Sequence, residues 1–165
     1  MPMTILYLHG LDSSLNDEKR IILEKYGLVY SPQINYRKDK NSIATLIAEH
    51  QNNNINTVIG SSMGGFAAYY IADALQRPAL LFNPALAYRS VAQEIPMIEN
   101  LKSNLKHIVL GAKDEIIDPK TTMKFLATSI GIDNYTIKIR QDLAHRIPEE
   151  IFEEEVKAFF KKLYY

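Results

Sequence analysis

Short apolar runs of strand type alternate with longer helical patterns from one end of this chain to the other. No other feature constrains the fold as much, because strands separated by helices pair in parallel and need helices on both faces of the sheet. Residues 3–8, 28–31, 57–60, 79–83, 107–111 and 135–140 read as strands. Between them the spacing predicts helices over about residues 15–26, over 42–52, where Ile43, Leu46 and Ile47 share a face, and over 62–75, which is rich in alanine and stopped by Pro78. Asp118-Pro119 forms an N-cap followed by proline at the first helical position. Pro148-Glu149-Glu150 opens a last helix reaching about Leu163, with acids early and lysines late, as the helix dipole prefers. The stretch from Pro84 to Leu105 has apolar residues without a clean period and reads as one or two short helices over a strand end.

A chain of 165 residues suits one domain spanning residues 1–165, since it can bury a single core but not two. Lys plus Arg and Asp plus Glu both count 19, and without a basic run the electrostatic footprint of a nucleic-acid binder is missing. The absence of cysteine excludes disulfides, thiolate metal sites and cysteine nucleophiles. The first residues lack the positive start of a signal peptide and no run approaches membrane-spanning length, so a cytoplasmic protein with no membrane partner is expected.

Within the strand–helix pattern, Gly60-Ser61-Ser62-Met63-Gly64-Gly65 follows the apolar Thr57-Val58-Ile59 and precedes a small-residue helix. This is a GxSxG elbow, in which a serine sits on a strained strand-to-helix corner that small neighbours at Gly60 and Gly64 permit. Ser62 is the candidate nucleophile. A lone serine is a poor nucleophile, so a general base and an orienting carboxylate are needed. In hydrolases with this elbow the chain order is serine, acid, histidine, and Ser62 is followed by Asp114 and then His145. Asp114 follows an apolar strand, at the sheet edge where ligands gather in open α/β folds. Its competitors are Glu115, which points the other way in an extended segment, and Asp118, which the N-cap role already explains. Among the histidines, His145 lies between the last strand and the last helix, whereas His50 sits in a helix and His107 begins a strand at the opposite sheet edge.

His9-Gly10 ends the first strand, so the N–H of Leu11 and the N–H of Met63 are the candidate oxyanion hole. His9 has no His, Asp or Glu partner at metal-ligand spacing, the elbow lacks the lysine of a P-loop, and no GxGxxG follows the first strand. No metal and no cofactor is expected.

Tyr7-Leu8-His9-Gly10-Leu11-Asp12-Ser13-Ser14, Ile59 to Phe66, Phe82-Asn83-Pro84-Ala85, Gly111-Ala112-Lys113-Asp114-Glu115 and the loop around His145 together resemble the α/β-hydrolase superfamily. Within it they are similar to the small single-domain esterases of the YqiA/YcfP type (UPF0227-like). The resemblance implies a three-layer α/β/α sandwich, a minimal α/β-hydrolase fold of six parallel strands in the order 2-1-3-4-5-6 without a large cap domain, and without the first two strands of a full-length hydrolase. It implies a serine esterase in which Ser62, Asp114 and His145 form the triad, acting on a small-molecule acyl ester or thioester. With only about twenty residues between Pro84 and Leu105, a small lid over an open, apolar acyl pocket is expected, lined by Tyr88, Ile95 and Met97. A thioesterase, a peptidase and a catalytically silent binding module remain alternatives, since one triad serves all acyl transfers and one fold serves many roles.

Overall fold

The strand residues alternate between two apolar faces. In the first strand Ile5 and Tyr7 pack to one side and Leu6 and Leu8 to the other, the two-residue period of extended chain. A strand buried on both sides needs helices on both, and the computed structural model, which describes residues 2–99 and 104–164, supplies them. The order is β1 (Met3–Leu8), α1 (Asp17–Glu24), β2 (Gly27–Tyr30), α2 (Ser42–His50), β3 (Thr57–Ser61), α3 (Met63–Leu75), β4 (Ala79–Phe82), β5 (Lys106–Gly111), α4 (Pro119–Ala127), β6 (Tyr135–Arg140) and α5 (Glu149–Tyr164). The strands form one parallel sheet in the order β2-β1-β3-β4-β5-β6, as expected.

Ile43 and Leu46 of α2, most of α3 and Leu126 of α4 cover the Leu6 and Leu8 face. Ile22 and Leu23 of α1, with Phe152, Val156, Phe159 and Phe160 of α5, cover the other. The order reverses at β1, whose neighbours are β2 and β3, so the crevice beyond the C-terminal ends of β1 and β3 is the switch point where open α/β sheets bind ligands. Among the described residues no helix is long and apolar enough to cross a membrane.

Several expectations change. Helix α1 begins at Asp17, because the Asn16 side chain accepts the Lys19 N–H, and it ends at Glu24. Helix α3 is stopped by Gln76, not by Pro78: Gln76 takes left-handed backbone (φ 55°) and turns its N–H onto the carbonyls of Ala72 and Asp73. Residues 84–99 form no helix, and residues 100–103 of the stretch read as short helices lie outside the described residues. The segment is held instead by side-chain bonds within it and by side-chain and backbone bonds to residues 36–40. Arg89 donates to the carbonyls of Ala85 and Leu86, Gln93 donates to those of Tyr36 and Asp39, and the Glu94 N–H bonds Lys40 at 2.7 Å.

Candidate active site

Ser62 stands between β3 and α3 with φ 56° and ψ −116°, backbone that a residue with a Cβ adopts only under strain of about 1–3 kcal/mol. Three bonds fix it there. Its N–H donates to Phe82 at 3.0 Å, and its carbonyl accepts from Phe66 and Ala85, both at 3.0 Å. The close packing that enforces the corner explains the two glycines. A Cβ on Gly64 would sit 1.9 Å from the Leu8 carbonyl oxygen, and one on Gly60 would sit 2.2 Å from that of Gly64.

Asp114 and His145 meet beyond the ends of β5 and β6. The Asp114 carboxylate is buried and divides its two oxygens: Oδ1 accepts the N–H groups of Ile116 and Ile117, each at 2.9 Å, while Oδ2 lies 2.8 Å from His145 Nδ1. The first pair of bonds fixes the carboxylate and the last fixes the ring. With Nδ1–H donating to the acid, Nε2 is left as the basic nitrogen of the neutral imidazole. Glu115 and Asp118 are exposed, and Asp118 caps α4 by accepting the Lys120 N–H at 2.9 Å. His50 lies against Tyr30, and His107 faces Thr136 and Phe159, both away from Ser62.

A residue without an assigned role in the sequence braces this pair. Asn83 is buried, with left-handed backbone (φ 41°), just past β4. Its Oδ1 accepts the Gly111 N–H at 2.7 Å, and its Nδ2 donates to the carbonyls of Ala144 (2.9 Å) and His145 (3.1 Å). One amide thus joins the strand leading to Asp114 with the loop carrying His145. The signal was an asparagine before proline at the end of the run read as a strand, a pattern that marks a turn but does not say what the amide binds.

His9 is buried and both ring nitrogens are committed. Nδ1–H donates to the Gly10 carbonyl at 2.6 Å, and Nε2 accepts the Ile34 N–H at 2.8 Å. In a trans peptide the carbonyl and the next N–H point in opposite directions. Holding the Gly10 carbonyl therefore also sets the direction of the Leu11 N–H, which donates to no acceptor among the described residues. Met63 opens α3, where the first N–H groups have no intrahelical partner.

Ser62, His145, Leu11 and Met63 all line one cavity of about 690 Å³. Its character differs from the apolar pocket expected. Tyr88 lines it, but Ile95 lines a separate hollow beside Tyr69 and Phe125, and Met97 is exposed. Lys19, Arg89 and Arg146 stand in the wall, with Ser13, Ser14 and Asn16. Tyr7 also borders the cavity, and burial pushes its phenol up to about 12, so it stays neutral at physiological pH. Among the described residues no cluster of three or more His, Asp or Glu side chains could hold a metal ion.

A parallel sheet in this order, with its tightest corner between β3 and α3, is the architecture of an α/β hydrolase. Solved structures with that fold superpose on most of the chain. Est1E from Butyrivibrio proteoclasticus is 13% identical and aligns with a TM-score of 0.65 over 97% of this chain and 87% of its own. A Pyrococcus furiosus esterase is 16% identical, with a TM-score of 0.70 over 98% and 82%. Alpha/beta hydrolase domain-containing protein 10 from mouse is 12% identical, with a TM-score of 0.70 over 97% and 88%. At such identities the likeness is one of fold. Residues 4–100 match the uncharacterised protein family UPF0227, and the chain belongs to that family.

Proposed function

We propose that this chain is a serine carboxylic ester hydrolase that cleaves short- to medium-chain acyl esters through Ser62, His145 and Asp114. The Asp114–His145 bond of 2.8 Å, with His145 and the strained Ser62 lining one cavity, supports this most strongly. His145 Nε2 takes the proton of the Ser62 hydroxyl as the oxygen attacks the ester carbonyl. The carbonyl oxygen becomes an oxyanion, received by the N–H groups of Leu11 and Met63, each donor worth about 3 kcal/mol. As the tetrahedral adduct collapses, the alcohol leaves with the proton from Nε2. Water then repeats the sequence on the acyl-enzyme, releasing the acid and freeing Ser62. Asp114 holds the imidazole in its Nδ1–H tautomer and offsets the charge of the imidazolium.

Hydrolysis of p-nitrophenyl esters from acetyl to decanoyl tests this, comparing the wild type with Ser62→Ala. The expected outcome is turnover that falls by about a millionfold in the variant while its thermal unfolding remains cooperative. Equal rates in the two proteins would overturn the proposal.

A further inference from the structure

The chain carries equal numbers of basic and acidic residues, yet Lys19, Arg89 and Arg146 border the cavity around Ser62 and no Asp or Glu does. None of the three forms an ion pair among the described residues, whereas Arg20, Arg37 and Arg140 all do.

Their surroundings go further than the count. Lys19 is half-buried on α1, with its ammonium 5.4 Å from the centre of the Phe152 ring. Burial holds it below the usual lysine range. Glu149 attracts it without closing an ion pair, and Arg146 repels it. Lys19 and Arg146 are thus like charges near enough to repel at one side of the cavity, with Glu149 only partly offsetting the burial of Lys19. Arg89 is half-buried as well. Its guanidinium lies 4.0 Å from the centre of the Phe66 ring, and Nη1 alone is spent on the carbonyls of Ala85 and Leu86. That contact holds the guanidinium over the ring, and Nε and Nη2 have no acceptor among the described residues. Lys19 and Arg89 are each partly dehydrated without closing an ion pair among the described residues, a cost that an anionic ligand would offset, and exposed Arg146 adds its charge beside Lys19.

We infer that the substrate is an ester or thioester carrying a second acidic group, a carboxylate or a phosphate, received by Lys19 and Arg146 with Arg89 as a third donor. The inference rests on the hydrolase reading above and narrows it, replacing a purely apolar acyl chain by one ending in an anion. A uniformly positive wall would also draw such a substrate in from solution, an effect that added salt weakens.

The test compares p-nitrophenyl butyrate with mono-p-nitrophenyl glutarate and p-nitrophenyl 3-phosphonopropionate, which share a leaving group and differ in the charged terminus. At low ionic strength at least one anionic ester should exceed the butyrate in kcat/KM by about tenfold or more, and which of the two leads separates carboxylate from phosphate. Added salt should shrink that ratio, and Lys19→Gln or Arg146→Gln should each cut it by about threefold or more, read as the ratio of anionic to neutral ester in one protein preparation. A ratio near one with Ser62-dependent butyrate hydrolysis intact would overturn the inference and leave the hydrolase reading standing. Calorimetric binding of glutaric acid monoanilide against butyranilide to the Ser62→Ala protein decides it without turnover. Tighter binding of the anion, lost in a Lys19→Gln/Arg146→Gln background, supports the charged site even if no ester is cleaved. Equal or weaker binding of the anion overturns it.

Discussion

Asp114 and Asp118 are four residues apart and do different work, which their bonds explain. Asp114 is buried, and its carboxylate spans two backbone N–H groups and the His145 ring. Asp118 is exposed and accepts one N–H at the start of α4. Asp114→Asn keeps the shape but cannot hold the imidazole in the Nδ1–H tautomer, so turnover should drop by about ten-thousandfold. Asp118→Ala should instead cost about 1 kcal/mol of stability and leave turnover near that of the wild type. Ester hydrolysis and urea unfolding of both variants check this, and wild-type turnover in Asp114→Asn would remove Asp114 from the mechanism. Glycines and chain order marked Ser62, Asp114 and His145 as candidates in the sequence, because turn chemistry and strand ends leave local marks. Asn83 left none of its role, since its three partners belong to β5 and to the His145 loop, 28 to 62 positions away along the chain.

At the scale of elements, the strand–turn–helix of β3 and α3 is the corner the pattern singled out, and packing explains why so little variation is possible there. Gly64 passes so near β1 that its carbon has no room for a substituent: Gly64→Ala would place a methyl 1.9 Å from one backbone oxygen of Leu8 and 2.5 Å from that of His9. Neither can yield without moving the His9-Gly10 turn that carries Leu11. The variant should therefore lose about 3 kcal/mol or more in urea unfolding, along with its ester hydrolysis. Stability equal to the wild type would mean that the corner is looser than its geometry. Elements failed to follow the pattern where tertiary contacts replaced local ones. Residues 84–99 are held by the Gln93 side chain on the carbonyls of Tyr36 and Asp39 and by the Glu94 N–H on Lys40 rather than by a helix. Strand β5 begins one residue earlier than its apolar run, because buried Lys106 is neutralised by Asp73 at 2.6 Å.

Across the whole molecule, the protonation of two histidines outside the candidate site ties stability to pH. Burial is the main reason that both His50 and His107 sit below the ordinary imidazole value. Glu49 partly offsets it at His50, and at His107 Lys162 and Lys138 add to it while Glu155 opposes it. His50 accepts from Asn53 at Nδ1 and has a buried Nε2 with no partner among the described residues, so a second ring proton meets no acceptor there. An imidazole that binds its proton less readily when folded favours unfolding in acid. The unfolded chain takes up protons first, starting near its value of about 6.5, and stability declines as the pH falls from there toward the folded values, while above that range it is flat. Asp73 acts in the opposite sense, since burial raises its carboxyl and the folded state then gains protons first, but that window opens upward from the lower carboxylate range. The urea midpoint should therefore fall between roughly pH 7 and pH 5, and the fall should be smaller in a His50→Gln/His107→Gln double variant. An identical fall in the double variant would place the acid sensitivity elsewhere.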